Sequence, residues 1–474
     1  MTDYNVMKDF TFGSRDEFTR EPIAEKIIKL LDSAIDVSPM IIDGKWGTGK
    51  TEFCFKLKNL IEADNLNNYK VGYVNAFQAD HANEPLLTLI AEVAGFYGED
   101  DDRRKSFIKN AIPYLRLVSG IGIKAIASLA FGKYAADIPD EFQEGMEAIE
   151  EGSDSFIDQS LESMIKDQVE AEKNLSTLKK ALKNIAATNP VILLIDELDR
   201  CRPDFAVMML ETIKHVFDVE NVQIILITNA EQLKATIKHS YGSETDSHSY
   251  LYKFFKYQIN LPTTSKGTEN QSIENNVTYF RATVQASNVI PQEFKENEFI
   301  YEIPTFLNVG TLSLRNIEQI VRCIETLVVF EDKEQSKSPT VEQLLMVFLS
   351  FVYMMNKKLF NQISNRGIVS KDFFVFMQCT RLVLPENHLI VEQNYVRSLI
   401  LVVFNKLNSN SNIYIPREDH RIGNQGEFIL ERILNKFNLE SEKDRFSSYI
   451  SEDSYIYDYV DYTINNLSLL NIVK

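Results

Sequence analysis

Apolar side chains recur every three or four positions through residues 10–38, at Phe18, Ile23, Ile27, Leu30, Leu31 and Ala34, with Pro22 suited to a first helical turn. The pattern predicts an amphipathic helix leading into a short apolar run, Met40-Ile-Ile, which reads as a strand. A glycine-rich turn follows, and helical spacing resumes at Phe53, Leu57, Leu60 and Ile61. Residues 70–77 are dense in β-forming side chains and read as a second strand, while residues 84–97 restart a helix through Leu86, Leu87, Leu89, Ile90 and Val93. This order calls for a parallel sheet with helices on both faces. Parallel neighbours need a crossover, and ligands collect at the C-terminal ends of such strands.

Residues 98–188 depart from that rhythm and read as an inserted helical and acidic segment. Positions 111–135 are apolar enough to raise a membrane hairpin, but Arg116, Lys124 and Lys133 interrupt them, and no uncharged stretch exceeds eight residues. A spanning helix needs about twenty predominantly apolar ones, so a buried or interfacial helix is the better reading. Residues 134–165 hold ten Asp or Glu and no Lys or Arg, the composition of a solvated connection. Ile157, Leu161, Met164, Val169, Leu175, Leu178, Leu182 and Ile185 then mark a long helix that stops before Asn189-Pro190. The next run, Val191-Ile-Leu-Leu-Ile-Asp-Glu-Leu-Asp-Arg200, is apolar without alternation, as in a strand buried on both faces. A further strand covers residues 222–229, residues 250–262 read as a short helix running into a strand that Pro262 stops, and residues 312–320 open another helix. A charged link at residues 331–339 divides a first domain, residues 1–330, from residues 340–474, whose helical apolar runs and polar turns predict a mainly helical C-terminal domain.

The turn after the first strand carries the chemistry. Gly44-Lys-Trp-Gly-Thr-Gly-Lys-Thr51 fits the G-x-x-x-x-G-K-[ST] pattern of a phosphate-binding loop, with Trp46 and Thr48 inside it. Gly44, Gly47 and Gly49 let backbone N–H groups converge on phosphate oxygens, and the helix starting near Thr51 adds its positive dipole end. Lys50 supplies a mobile positive charge and Thr51 a hydroxyl for magnesium. Carboxylates at the end of the buried strand reach the same sheet edge. Asp196 suits magnesium held through water, and Glu197 suits orienting or deprotonating the water that attacks a γ-phosphate, with Asp199 a rival for that task. Neighbouring strand residues point to opposite faces, which would set Asp196 and Glu197 apart. A turn salt-bridged to Arg200 or Arg202 is the plain alternative. Thr228 and Asn229 end a strand where they reach a γ-phosphate or its water, or else complete strand-end hydrogen bonds. Arg315 could reach back to the nucleotide, and Arg20 or Phe18 could touch its base; solvated or packing roles explain all three as well.

Composition then narrows the partners. Lys and Arg number 50 against 68 Asp and Glu, a net charge of −18, which disfavours a general electrostatic grip on nucleic acid or an anionic membrane. Cys54, Cys201, Cys323 and Cys379 lie far apart without zinc or redox spacing, as buried small hydrophobes in a reducing cytosol do. The N-terminus lacks the basic start and apolar core of a signal peptide, so the expectation is a cytoplasmic protein, with peripheral membrane association left open. His388 and His420 stand alone and read as structural or solvated.

Together these segments resemble the KAP family of phosphate-loop NTPases. The likeness is carried by the loop with its internal Trp46, by Asn75-Ala-Phe-Gln78, by Asp196-Glu-Leu-Asp-Arg-Cys201, and by Tyr250-Leu-Tyr-Lys-Phe-Phe255 with Leu261-Pro262. It implies an α/β phosphate-loop fold with a parallel sheet flanked by helices, contacts to ATP from Gly44, Gly47, Gly49, Lys50 and Thr51, and Asp196 as the carboxylate on the Mg2+ side. Many members carry transmembrane helices between the two nucleotide motifs; this chain has the long interval without a convincing span. Related NTPases often complete the site with a neighbour's basic residue, which implies a homo-oligomer. Bacterial relatives in plasmid-encoded or phage-exclusion systems suggest antiviral defence as the setting. Three functions fit: a magnesium-dependent ATP-hydrolysing switch or remodeller of an unidentified protein partner, which is favoured; a nucleotide-binding scaffold that hydrolyses little; and a nucleic-acid-dependent ATPase, against the acidic balance.

Overall fold

The computed structural model describes residues 7–119, 161–266, 272–331, 339–365, 370–378, 396–397, 400, 404 and 453–470. The chain divides into two compact units, Met1–Pro262 and Thr263–Lys474. Five parallel strands organise the first: β1 (Met40–Asp43), β2 (Lys70–Asn75), β3 (Val191–Asp196), β4 (Val222–Thr228) and β5 (Tyr257–Asn260), in the order β2-β3-β4-β1-β5. Their registers set Asn75 beside Asp196, and Asp43 between Thr228 and Asn260. Polar side chains of neighbouring strands therefore end at one edge of the sheet.

The unalternating apolar run of β3 is the reason it lies deep in the sheet. Val191, Leu193 and Ile195 enter one core, Ile192 and Leu194 the other, and all five are buried. Each such side chain contributes roughly 1.5–3 kcal/mol of burial free energy, which holds the acidic end of the strand in place. Helices α1 (Glu21–Leu31) and α2 (Lys50–Ala63) cover the Ile192 face, with Pro22 in the first turn of α1 and Ile27 and Leu31 buried. Helices α3 (Pro85–Ala94), α4 (Asp102–Ser119), α5 (Leu161–Thr188), α6 (Pro203–Val216) and α7 (Ala230–Tyr241) cover the other face. A short helix, α8 (Ser247–Tyr252), precedes β5.

One expectation is adjusted. The second strand stops at Asn75 and not at residue 77, because the Asn75 side chain accepts the Gln78 N–H and starts a one-turn helix, Ala76–Ala79; a capping side chain overrides β propensity there. The described part of the apolar stretch belongs to α4, where Ala111 and Leu115 share a core with Leu178 and Leu182 of α5. Among the described residues no helix is long and apolar enough to cross a membrane. Residues 120–160, which hold most of the acidic connection, lie outside the described residues.

The second unit opens with an antiparallel pair, β6 (Thr264–Lys266) and β7 (Ser272–Glu274), and its other long described elements are helices. These are α9 (Asn275–Ala286), α10 (Leu314–Phe330), α11 (Pro339–Met355), α12 (Lys357–Ser364) and α13 (Asp453–Leu469). Phe280 packs edge-on to Phe351, and Phe348 lies against Phe373 and Phe404. The sequence suggests a division at residues 331–339; the compact units divide between Pro262 and Thr263, and α10 packs against α9 and α11. Cys379, His388 and His420 lie outside the described residues, and the other three cysteines are buried.

Candidate functional site

β1 ends at Asp43, whose Oδ1 accepts the Ala230 N–H (2.8 Å) and whose Oδ2 accepts the Gln258 side-chain amide (3.2 Å). The chain then turns through residues 44–49 into α2. Gly47 (φ 71°) and Gly49 (φ 78°) adopt the left-handed backbone that side chains disfavour. Gly44 is needed for space, since a Cβ there would stand 2.8 Å from Thr48 Oγ1. The Gly44 N–H donates to the Thr228 carbonyl (3.2 Å), and the Thr48 hydroxyl closes the loop on the Lys45 carbonyl (2.8 Å). A tight glycine-rich loop opening the N-terminus of a fourteen-residue helix concentrates unpaired amides and positive dipole at one point, as anion sites require.

Lys50 is half-buried at that point, and its ammonium donates to the carbonyls of Gly44 (2.8 Å) and Lys45 (3.1 Å). Burial lowers its pKa, and the charges of Asp199 and Asp196 oppose the shift. Asp196 is fully buried. It accepts hydrogen bonds from the Thr51 hydroxyl, the Tyr73 hydroxyl (3.3 Å) and the Glu197 N–H (2.8 Å). Burial pushes its carboxyl up to about 6 in spite of the Thr51 bond, and the Glu197 charge adds to the rise. A desolvated carboxylate sharing a hydroxyl with the loop threonine fits a hard divalent cation whose remaining ligands are phosphate and water. Among the described residues no group of three or more His, Cys, Asp or Glu side chains could hold a metal on its own.

Glu197 departs from the strand geometry expected of it. β3 stops at Asp196, and Glu197 turns into the left-handed region (φ 62°), so pleat alternation does not set its direction. The residue is 5 % exposed, and its carboxylate pairs with Arg200 (2.9 Å) and accepts from Asn75 Nδ2 (3.3 Å). The salt bridge considered as the plain alternative is thus present at Arg200. Arg202 pairs instead with Asp80 (2.9 Å). Asp199 is buried with both oxygens engaged: Oδ1 accepts the Thr228 hydroxyl (3.1 Å) and Oδ2 the indole N–H of Trp46, a residue that is 50 % exposed. Asn229 caps α7, its Oδ1 accepting the Gln232 N–H (3.3 Å), which is the strand-end role weighed against a phosphate contact.

Sequence reasoning gave Arg20 a choice between the base and packing, and the structure gives it a packing role. It is 3 % exposed, stacks on Phe18, and donates to the carbonyls of Thr48 (2.8 Å) and Pro262 (3.2 Å). Burial lowers its pKa to about 10. Its partners are backbone atoms distant in sequence, so no motif marks it as a support of the loop. Asp43, Tyr73 and the Asn75 side chain are likewise site groups that no spacing rule singled out. Arg315 is an exposed residue in the first turn of α10 and belongs to the second unit.

A glycine-rich loop leaving a parallel strand, with an acidic strand end at the same edge and one strand, β4, between them, defines a phosphate-loop nucleotide-binding domain. The chain belongs to the KAP family: the sequence model described as the KAP family P-loop domain matches residues 20–372. None of the curated proteins matches the chain.

Proposed function

We propose that this protein binds ATP with Mg2+ and hydrolyses it, and that the change of nucleotide state switches or remodels a protein partner. The reading is carried by one observation: Lys50, Thr51 and Asp196 meet at a glycine-rich helix N-terminus, with Glu197 next in the chain. Backbone amides of residues 44–51 bind the phosphates. Lys50 exchanges its two carbonyl acceptors for phosphate oxygens, which its three donors and half-buried position allow. Thr51 and Asp196 would hold Mg2+, which when bound neutralises charge on the phosphates. Glu197 orients the attacking water and accepts its proton. Asp199 steadies the loop by way of Trp46. The expected setting is the bacterial cytoplasm and antiviral defence, which rests on the family resemblance, as does a homo-oligomeric site completed by a neighbour.

Phosphate release and nucleotide binding by the purified chain and its Lys50→Ala variant test the reading. The parent should turn over ATP in the presence of magnesium. Lys50→Ala should bind nucleotide weakly, hydrolyse none and unfold at nearly the parent's urea midpoint, because the side chain is half-buried and lies at a loop end. Normal turnover by a folded Lys50→Ala protein would remove the loop from the active site. A parent that binds ATP and releases no phosphate would favour the scaffold reading.

A further inference from the structure

Trp46 stands in the phosphate loop between Lys45 and Gly47, half-exposed, and its indole N–H can donate but has no acceptor capacity. That N–H is engaged by Asp199 Oδ2, while Asp199 Oδ1 takes the Thr228 hydroxyl (3.1 Å). Two donors, one from the loop and one from the end of β4, thus converge on one buried carboxylate. This carboxylate neighbours the cation of the loop: of the charges around Lys50, that of Asp199 acts on it most strongly. Lys50 is in turn bonded to the carbonyl of Lys45 (3.1 Å), the residue before Trp46. The lysine of a phosphate loop reaches the β- and γ-phosphates. The Trp46 donor is therefore held near the place where the last phosphate of a triphosphate arrives, and a diphosphate ends one phosphate short of it.

We propose that Trp46 distinguishes a nucleoside triphosphate from a diphosphate: its indole N–H leaves Asp199 Oδ2 and donates to the terminal phosphate of the triphosphate. The inference rests on the nucleotide-binding reading of the loop and requires no hydrolysis. A terminal phosphate beside Lys50 brings negative charge toward the Asp199 carboxylate, and its oxygens are charged acceptors for the same N–H. The loop also has the freedom to make the exchange. When Lys50 gives up the Lys45 carbonyl for phosphate, the backbone before Trp46 loses its tie to the ammonium. Gly47 after it (φ 71°) has no side chain to hinder a turn of the backbone, and a half-exposed residue is not enclosed by packing. With ADP the Lys50 end of the site receives no γ-phosphate, and the indole stays with Asp199.

Trp46 is the chain's only tryptophan, so its emission reports the exchange directly. Titration of the full chain, in magnesium, with the β,γ-imido analogue of ATP should change that emission, and saturating ADP should leave it near the value of the empty protein. Trp46→Phe keeps an aromatic ring and removes the N–H. By calorimetry, the ratio of the ADP to the analogue dissociation constant should fall about tenfold in the variant, in keeping with loss of one hydrogen bond to a charged group. A loop that had merely been loosened would lose affinity for both ligands alike and keep the parental ratio. Equal emission changes with the two ligands, or a parental ratio in a folded Trp46→Phe chain, would overturn this inference and leave the nucleotide site standing. Should the variant not fold, the emission of the parent decides alone. Binding of neither ligand by the parent would sink the nucleotide-binding reading and the role of Trp46 together.

Discussion

Glu197 and Asp199 are both acids at a strand end, and their hydrogen bonds separate them. Asp199 has Thr228 on one oxygen and Trp46 on the other, so it braces the loop against β4. Glu197 is bound to the side chains of Arg200 and Asn75, and a carboxylate with about four lone-pair sites keeps acceptor capacity for water beside them. If Glu197 orients the attacking water, Glu197→Gln retains shape and removes the acceptor, so ATP should bind and persist while turnover falls about 10²–10⁴-fold. Asp196→Asn should weaken the magnesium-dependent part of nucleotide binding. Single-turnover phosphate release separates these outcomes. Normal release by Glu197→Gln together with a dead Asp199→Asn would transfer the water-positioning role to Asp199. At this scale sequence reasoning reached Lys50, Thr51 and Asp196, whose environment follows from covalent spacing and strand order. It missed the direction of Glu197, because a positive φ ends the alternation on which the expectation relied.

Among the elements, β3 was legible because five apolar residues in a row, rich in β-branched side chains and bounded by Asn189-Pro190, suit a strand buried on both faces, and α2 because its apolar spacing follows a loop motif. The end of β2 was not, since a single capping bond from Asn75 outweighs the β-forming character of the residues after it. Least legible was the union of α1, the loop and the end of the first unit by Arg20. The buried guanidinium serves two carbonyls, and their loss would leave both without their charged donor. Arg20→Met retains much of the stem and its contact with Phe18 but removes both donors. It should lower unfolding free energy by about 2–4 kcal/mol. The loop should also bind nucleotide less tightly, because the Thr48 carbonyl is freed. Urea titration would show a lower midpoint with an unchanged slope. A parental midpoint would mean that solvent replaces Arg20 at no loss, and that the buried strut does not support the loop.

For the molecule as a whole, the desolvated Asp196 carboxylate is a source of instability. Burial raises Asp196 to about 6, against about 3.9 for an aspartate in an unfolded chain. Between those values the native state holds more protons than the unfolded state, so stability falls as pH rises from roughly 4 to 6, and the full penalty persists above that. The direction is opposite to that of a salt-bridged surface carboxylate. A two-unit shift corresponds to roughly 3 kcal/mol of unfolding free energy at neutral pH. Asp196→Asn removes the titration and keeps the shape. In chelator at pH 7.5 the variant should therefore resist urea better than the parent, by about 1–3 kcal/mol, whereas at pH 4 the two should nearly coincide. Trp46 is the chain's only tryptophan and lies in the first unit, so its fluorescence follows the unit that contains the site. Magnesium with nucleotide should stabilise the parent more than the variant, because the cation binds the folded carboxylate alone. Equal urea midpoints for the two proteins at both pH values would show that Asp196 ionises in the folded chain as an ordinary exposed aspartate does, and the case for a desolvated carboxylate awaiting a cation would fall with it.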